Sequence, residues 1–325
     1  TFAIINRPTG VITSQGSQAI NVDATTGYFV NQGVVTASNT VFRASDTVNN
    51  IVINAGVLTA GNNGDALQTA DDDSNSTIYN LGRASGAGTG HAVRLDGSNT
   101  LLVLGTQAYL PALDAIITGP GSVLVGGALS TGSNNRILLT DSGSESASLG
   151  GFVSLTMRGQ SWALSAPLSL SGASSQSLAV ESGVLSLNGP FVTPGGIFIT
   201  SGGMLKLFNT AQASTVNLSS GGGLTLANAA MLNISGNITL SGGSSAATSG
   251  NVNANNIRLA DASQWTQSSG NVNANNLSLD GASQWTQTGG SVNAPTIALS
   301  GGSQWTQTGG GVTANNLSLG GASQW

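Results

Sequence analysis

The single histidine, His91, and the string Thr140-Asp141-Ser142-Gly143-Ser144 are the residues of this chain nearest to nucleophilic chemistry. A serine nucleophile needs an imidazole within hydrogen-bond reach and a carboxylate to orient it. With one histidine in 325 residues, any such reaction stands or falls on His91, and the string 140–144 otherwise reads as a polar corner. The run Asp71-Asp72-Asp73 offers the hard oxygen ligands that Ca²⁺ takes. Neighbours on a strand face opposite sides, however, and neither an EF-hand spacing nor a glycine-rich Ca²⁺ nonapeptide is present, so the run reads as a solvated corner loop and no metal is expected. Carboxylates beside a guanidinium suit glycoside chemistry, which places two carboxyl groups about 5 to 9 Å apart across the sugar. Asp96 with Arg94, and Asp114 with Arg136, are the pairs to consider, although their spacing does not bring two carboxylates together.

Composition narrows the classes further. There is no cysteine, hence no disulfide framework, thiolate zinc site or thiol nucleophile. Eight basic residues, one of them lysine (Lys206), and a net charge of −5 leave no basic surface for nucleic acid. A hydrophobic share of 39% argues against disorder, and 47 glycines without a three-residue period argue against collagen. Beyond residue 181 the charged side chains are Lys206, Arg258, Asp261 and Asp280, so titratable chemistry is concentrated before that point, and no cofactor is expected. The chain starts at Thr1 without a charged-then-apolar leader and reads as a piece of a larger protein.

The elements that must position these residues are announced by a repeat. From Asn251 the text recurs every 20 residues: NVNANNIRLADASQWTQSSG, NVNANNLSLDGASQWTQTGG, SVNAPTIALSGGSQWTQTGG, GVTANNLSLGGASQW. Each unit is three alternating stretches separated by Asn-Asn, Asp-Gly or Gly-Gly corners, and period-two alternation is the strand signature. Asn or Gly at the corners supplies positive φ. Upstream the period loosens into Leu-x-Leu pairs, and in the first hundred residues into Asn31-Gln-Gly33, Asn54-Ala-Gly56 and Asn80-Leu-Gly82. The expected fold is all-β, a right-handed, three-sided parallel β-helix over 1–325. It comprises longer irregular coils at 1–110, regular coils at 111–250 and exact repeats at 251–325. At roughly 22 residues and 4.8 Å per coil this makes roughly 14 coils and a rod of about 70 Å.

Leu-Ser-Leu assigns its leucines to the interior, and Trp265, Trp285, Trp305 and Trp325 share the inward phase with Gln287 and Gln307. An outward tryptophan column would instead make a strip for sugar rings or for another rod, and an aggregation hazard. The inward phase leaves Gln284, Thr286, Thr288, Gln304, Thr306 and Thr308 outside, as stacked uncharged amides and hydroxyls able to bond along the axis and to an identical rod.

Three stretches carry a family resemblance: Gly-Ser-Asn-Thr-Leu-Leu-Val-Leu at 97–104, Phe152-Val-Ser-Leu-Thr-Met-Arg-Gly-Gln-Ser-Trp162-Ala-Leu-Ser, and Leu178-Ala-Val-Glu-Ser-Gly-Val-Leu-Ser-Leu-Asn-Gly189. With the early Asn-x-Gly coils, they resemble passenger domains of type V autotransporters of Gram-negative bacteria over roughly residues 10 to 240. The resemblance implies export across the outer membrane to the cell surface or beyond, and a C-terminal membrane barrel outside this segment. Proteolytic members carry a separate globular domain ahead of the helix, which has no counterpart here. The Thr-x-Thr ranks also resemble those of ice-binding solenoids, although Ser268 interrupts them. The expected function is a non-enzymatic adhesin or self-association factor in aggregation and biofilm. Its partner is a second copy of itself, or a host or matrix glycan or protein. The alternatives are a polysaccharide-degrading β-helix enzyme and a passive stalk.

Overall fold

The computed structural model describes residues 1–23 and 26–325. The chain divides into two compact units, Thr1–Leu170 and Ser171–Trp325. In the first unit, Phe2–Asn6, Gly27–Asn31, Ile51–Asn54, Thr77–Asn80, Leu101–Leu104, Arg136–Leu139 and Ser154–Met157 stack as parallel neighbours on one face. In the second, one face runs from Leu178–Val180 through Asn256–Leu259 to Asn316–Leu319. Two further faces are laid down between successive visits, so the described residues form a three-faced parallel β-solenoid of about fifteen turns.

The alternation explains the strands. In Asn256–Leu259, Ile257 and Leu259 are buried; in Gln264–Gln267 it is Trp265 and Gln267. Each buried aliphatic side chain contributes about 1.5–3 kcal/mol, and stacking equivalent residues gives every turn the same neighbours. Three of the four tryptophans do face inward: Trp265, Trp285 and Trp305 are buried and stacked, with centroids 4.9 Å apart and planes 5° and 13° from parallel, whereas Trp325 stacks on Trp305 at 4.5 Å but is 42% exposed.

The corners differ from expectation in one respect. Asn255 and Asn275 turn the chain without positive φ; the left-handed pairs are Asp261-Ala262, Gly281-Ala282 and Gly301-Gly302. Asn255 and Asn275 instead stack amide on amide, Asn275 Nδ2 donating to Asn255 Oδ1 at 2.7 Å.

In the first unit the Asn-x-Gly coils are an interior ladder. Asn6 donates to Asn31 (2.8 Å), Asn31 to Asn54 (2.9 Å), Asn54 to Asn80 (2.8 Å) and Asn80 to the Ser122 hydroxyl (2.9 Å). Glycine follows because turns stack backbone on backbone there: a Cβ on Gly56 would lie 2.1 Å from the Gly33 carbonyl oxygen.

Two features had no counterpart in the sequence reading. Gln107–Leu110 and Ala115–Thr118 form an antiparallel hairpin around the 3₁₀ turn Pro111–Leu113. Its Ala108, Leu110 and Ile117 cover an apolar outer strip made by Val30, Ile53 and Leu81, with Tyr28, Ile51 and Tyr79 at its margin. Just beyond it the second face breaks: Val123–Val125 closes a five-stranded sheet and Ser142–Glu145 begins another. Glu145 bridges the break, accepting the Leu124 N–H at 3.0 Å through one oxygen and the Ser146 and Ala147 N–H groups through the other.

Candidate functional site

The nominated face of the second unit is built from Gln264–Gln267, Gln284–Gln287 and Gln304–Gln307, paired in parallel so that Gln264, Gln284 and Gln304 form one outward column and Thr266, Thr286 and Thr306 another. Gln284, Gln304, Thr288, Thr306 and Thr308 are exposed and Thr286 is half-buried. Inside the same strands, Gln287 is fully buried and its Nε2 donates to the Gly290 and Gly311 carbonyls at 3.3 and 3.1 Å. Gln307 departs from its predicted inward phase, since it is exposed, although its Nε2 still reaches the Gly310 carbonyl at 3.1 Å. Trp285 Nε1 and Gln287 Oε1 are buried without a partner.

Two kinds of ladder decorate this unit, and they differ in how far their polar groups are already used. The outward asparagines bond to one another: Asn253 to Asn233 (2.8 Å), Asn273 to Asn253 (2.9 Å), Asn256 to Asn237 (2.8 Å) and Asn276 to Asn256 (2.7 Å). Among the described residues, the side chains of Gln264, Gln284, Gln304, Thr266, Thr286 and Thr306 make no hydrogen bond, whereas the Thr288 hydroxyl reaches the Gln267 carbonyl at 3.4 Å. Amide and hydroxyl groups that stay solvated can exchange water for another surface at little cost, and each net bond is worth about 0.5–1.5 kcal/mol. The asparagine side also holds two hollows, one of about 500 Å³ running past Gln212, Asn233 and Asn253 and one of about 260 Å³ past Asn273 and Asn293. The asparagine repeat was legible as a ladder, but its concavity was not.

In the first unit the nominated charged pairs fare differently. Arg94 and Asp96 do meet: Arg94 Nε lies 3.0 and 2.9 Å from the two Asp96 oxygens, and the Thr131 hydroxyl also donates to Asp96. Arg43, Gln68, Asp71 and this pair line one hollow of about 390 Å³. Asp114 and Arg136 are not paired. Asp114, in left-handed conformation at the hairpin tip, accepts the Tyr109 hydroxyl at 2.8 Å, and Arg136 stands on the first face beside Ser154.

The acidic run is only partly a solvated loop. Asp71 and Asp72 are exposed, but Asp73 is buried at 1% exposure, its Oδ1 accepting the Thr47 and Ser76 hydroxyls. Burial pushes the Asp73 carboxyl above its ordinary value, against the pull of those hydrogen bonds, and burial raises Glu145 likewise. Among the described residues no three His, Asp or Glu side chains converge to hold a metal ion.

The string 140–144 is accounted for by packing. Asp141 accepts the Thr106 N–H and hydroxyl at 2.9 and 2.8 Å. Gly143 pairs in register with Trp162, and a Cβ there would sit 2.5 Å from the indole. Trp162 Nε1 donates to the Thr140 carbonyl at 2.8 Å. His91 stands beside Asp65, Nδ1 to Oδ1 3.5 Å, and no hydrogen bond among the described residues joins it to Ser142 or Ser144. Comparison with family models, curated proteins and solved structures finds no match to this chain.

Proposed function

We propose that this chain is a non-enzymatic, adhesive β-solenoid of the autotransporter-passenger kind, displayed at or released from a Gram-negative cell surface, whose second unit associates with a copy of itself. The observation that supports it is the contrast between ladders. The asparagine columns satisfy one another, whereas the Gln264/Gln284/Gln304 and Thr266/Thr286/Thr306 columns keep donors and acceptors open in register. A second copy presents the same columns at the same repeat, so a bond formed at one turn recurs at the next. The near absence of charge on this unit removes repulsion between copies.

Sedimentation velocity over a hundredfold concentration range, at low and high salt, tests this reading. The expected result is a mass that rises with concentration and is insensitive to salt, and that Gln284→Lys with Gln304→Lys returns to the monomer. A monomer throughout overturns it.

A further inference from the structure

We infer that the hollow on the third face of the first unit binds a sugar bearing a single carboxylate, a uronic-acid unit of an acidic polysaccharide. Thr40–Ser45, Leu67–Thr69 and Val93–Leu95 are parallel neighbours, and their register sets Arg43, Gln68 and Arg94 side by side on successive turns. At about 4.8 Å per turn the two arginines stand about 10 Å apart at the backbone, a span that long side chains close around one pyranose. Two of the eight basic residues in the whole chain thus flank one glutamine.

The internal bonding leaves these groups facing outward. Among the described residues Arg43, Gln68 and Asp71 make no side-chain hydrogen bond or ion pair, although all three line the hollow. Arg94 is tied at Nε by Asp96, which Thr131 holds from the next turn, so its Nη nitrogens are oriented and, among the described residues, have no acceptor. Guanidinium forks match planar carboxylates. Asp71 is able to accept from a sugar hydroxyl and Gln68 to donate or accept, and Asp71 with a net charge of −5 disfavours a doubly charged phosphate. One carboxylate surrounded by hydroxyls is the chemistry that satisfies all of them. With both oxygens of Asp96 engaged by Arg94 and Thr131, Asp96 acts as a positioning residue for Arg94, and the site binds without cleaving. It stands apart from the self-association of the second unit, so either can fail alone.

Calorimetric titration with trigalacturonate, maltotriose and sodium acetate tests the assignment. The expected result is saturable binding of trigalacturonate that weakens with salt, at least tenfold tighter than either control. Arg43→Gln should lose at least tenfold and Gln68→Ala several-fold, with circular dichroism unchanged because both side chains lie outside the core. Three results would overturn the assignment: no binding of trigalacturonate, equal binding of maltotriose or acetate, or an Arg43→Gln variant that binds as well as the parent.

Discussion

Asp73 and Glu145 are carboxyl groups where a solenoid interior would ordinarily place a neutral side chain, and both titrate above their ordinary value because burial disfavours the charged form. The folded state therefore holds these protons more tightly than the unfolded chain. Their stabilising contribution is complete below the ordinary carboxylate range, about pH 4, and is lost as pH rises through the raised folded values. Thermal melts should show Asp73→Asn and Glu145→Gln gaining on the parent as pH rises toward neutrality and losing that advantage in acid. A difference independent of pH would refute the assignment. None of this was legible in the sequence: Asp73 is the third of three identical letters, and only the pairing of Thr47, Asn50 and Ser76 around it in space decides which aspartate turns inward.

At the scale of elements, the alternating strands and the inward phase of tryptophan were legible, because period two assigns every second residue to one side and large apolar residues fix which side. The corners were less so. The left-handed position is held by Ala262, Ala282 and Ala322, with φ between 60° and 62°, and by Gly302 in the intervening repeat. An L-residue there costs about 1–2 kcal/mol, part of which glycine returns as unfolded-chain entropy. Ala282→Gly should therefore raise stability by about 0.5–1 kcal/mol in urea titration, and a loss would contradict the strain. The hairpin at 107–118 escaped notice because Tyr109, Leu110, Ile116 and Ile117 alternate as solenoid strands do, while its cover of Val30, Ile53 and Leu81 is a long-range contact. Replacing 107–118 with a short glycine-serine link should uncover that strip and increase binding of a hydrophobic dye. An unchanged signal would mean the strip is covered by something else.

For the molecule as a whole, the repeat makes stability a sum over turns and the interfaces between them. Deleting residues 271–290 removes one whole turn and leaves Val252, Leu259 and Trp265 facing Val292, Leu299 and Trp305, the partners they already have in kind. That deletion should keep the strand signal in circular dichroism and shift the melting temperature by only a few degrees. Deleting 271–280 alone sets Ile257 against Gln287, Leu259 against Gly289 and Trp265 against Pro295, and should abolish the cooperative melt. Failure of the first deletion to fold would show that the turns are not equivalent units.

Equivalence of this kind has a further consequence for how the array finds its own alignment. A turn docked one repeat too far along still meets valine with valine, leucine with leucine and indole with indole, so the ladders cannot count. The marks that distinguish one repeat from the next are few. Arg258 faces Asp280 at 3.7 Å, with both half exposed, and Pro295 takes the corner where its neighbours carry asparagine. Such marks are worth little energy apiece. The array is a ruler with nearly unnumbered divisions, and one that looped out twenty residues would leave a shorter ruler with its remaining ladders intact.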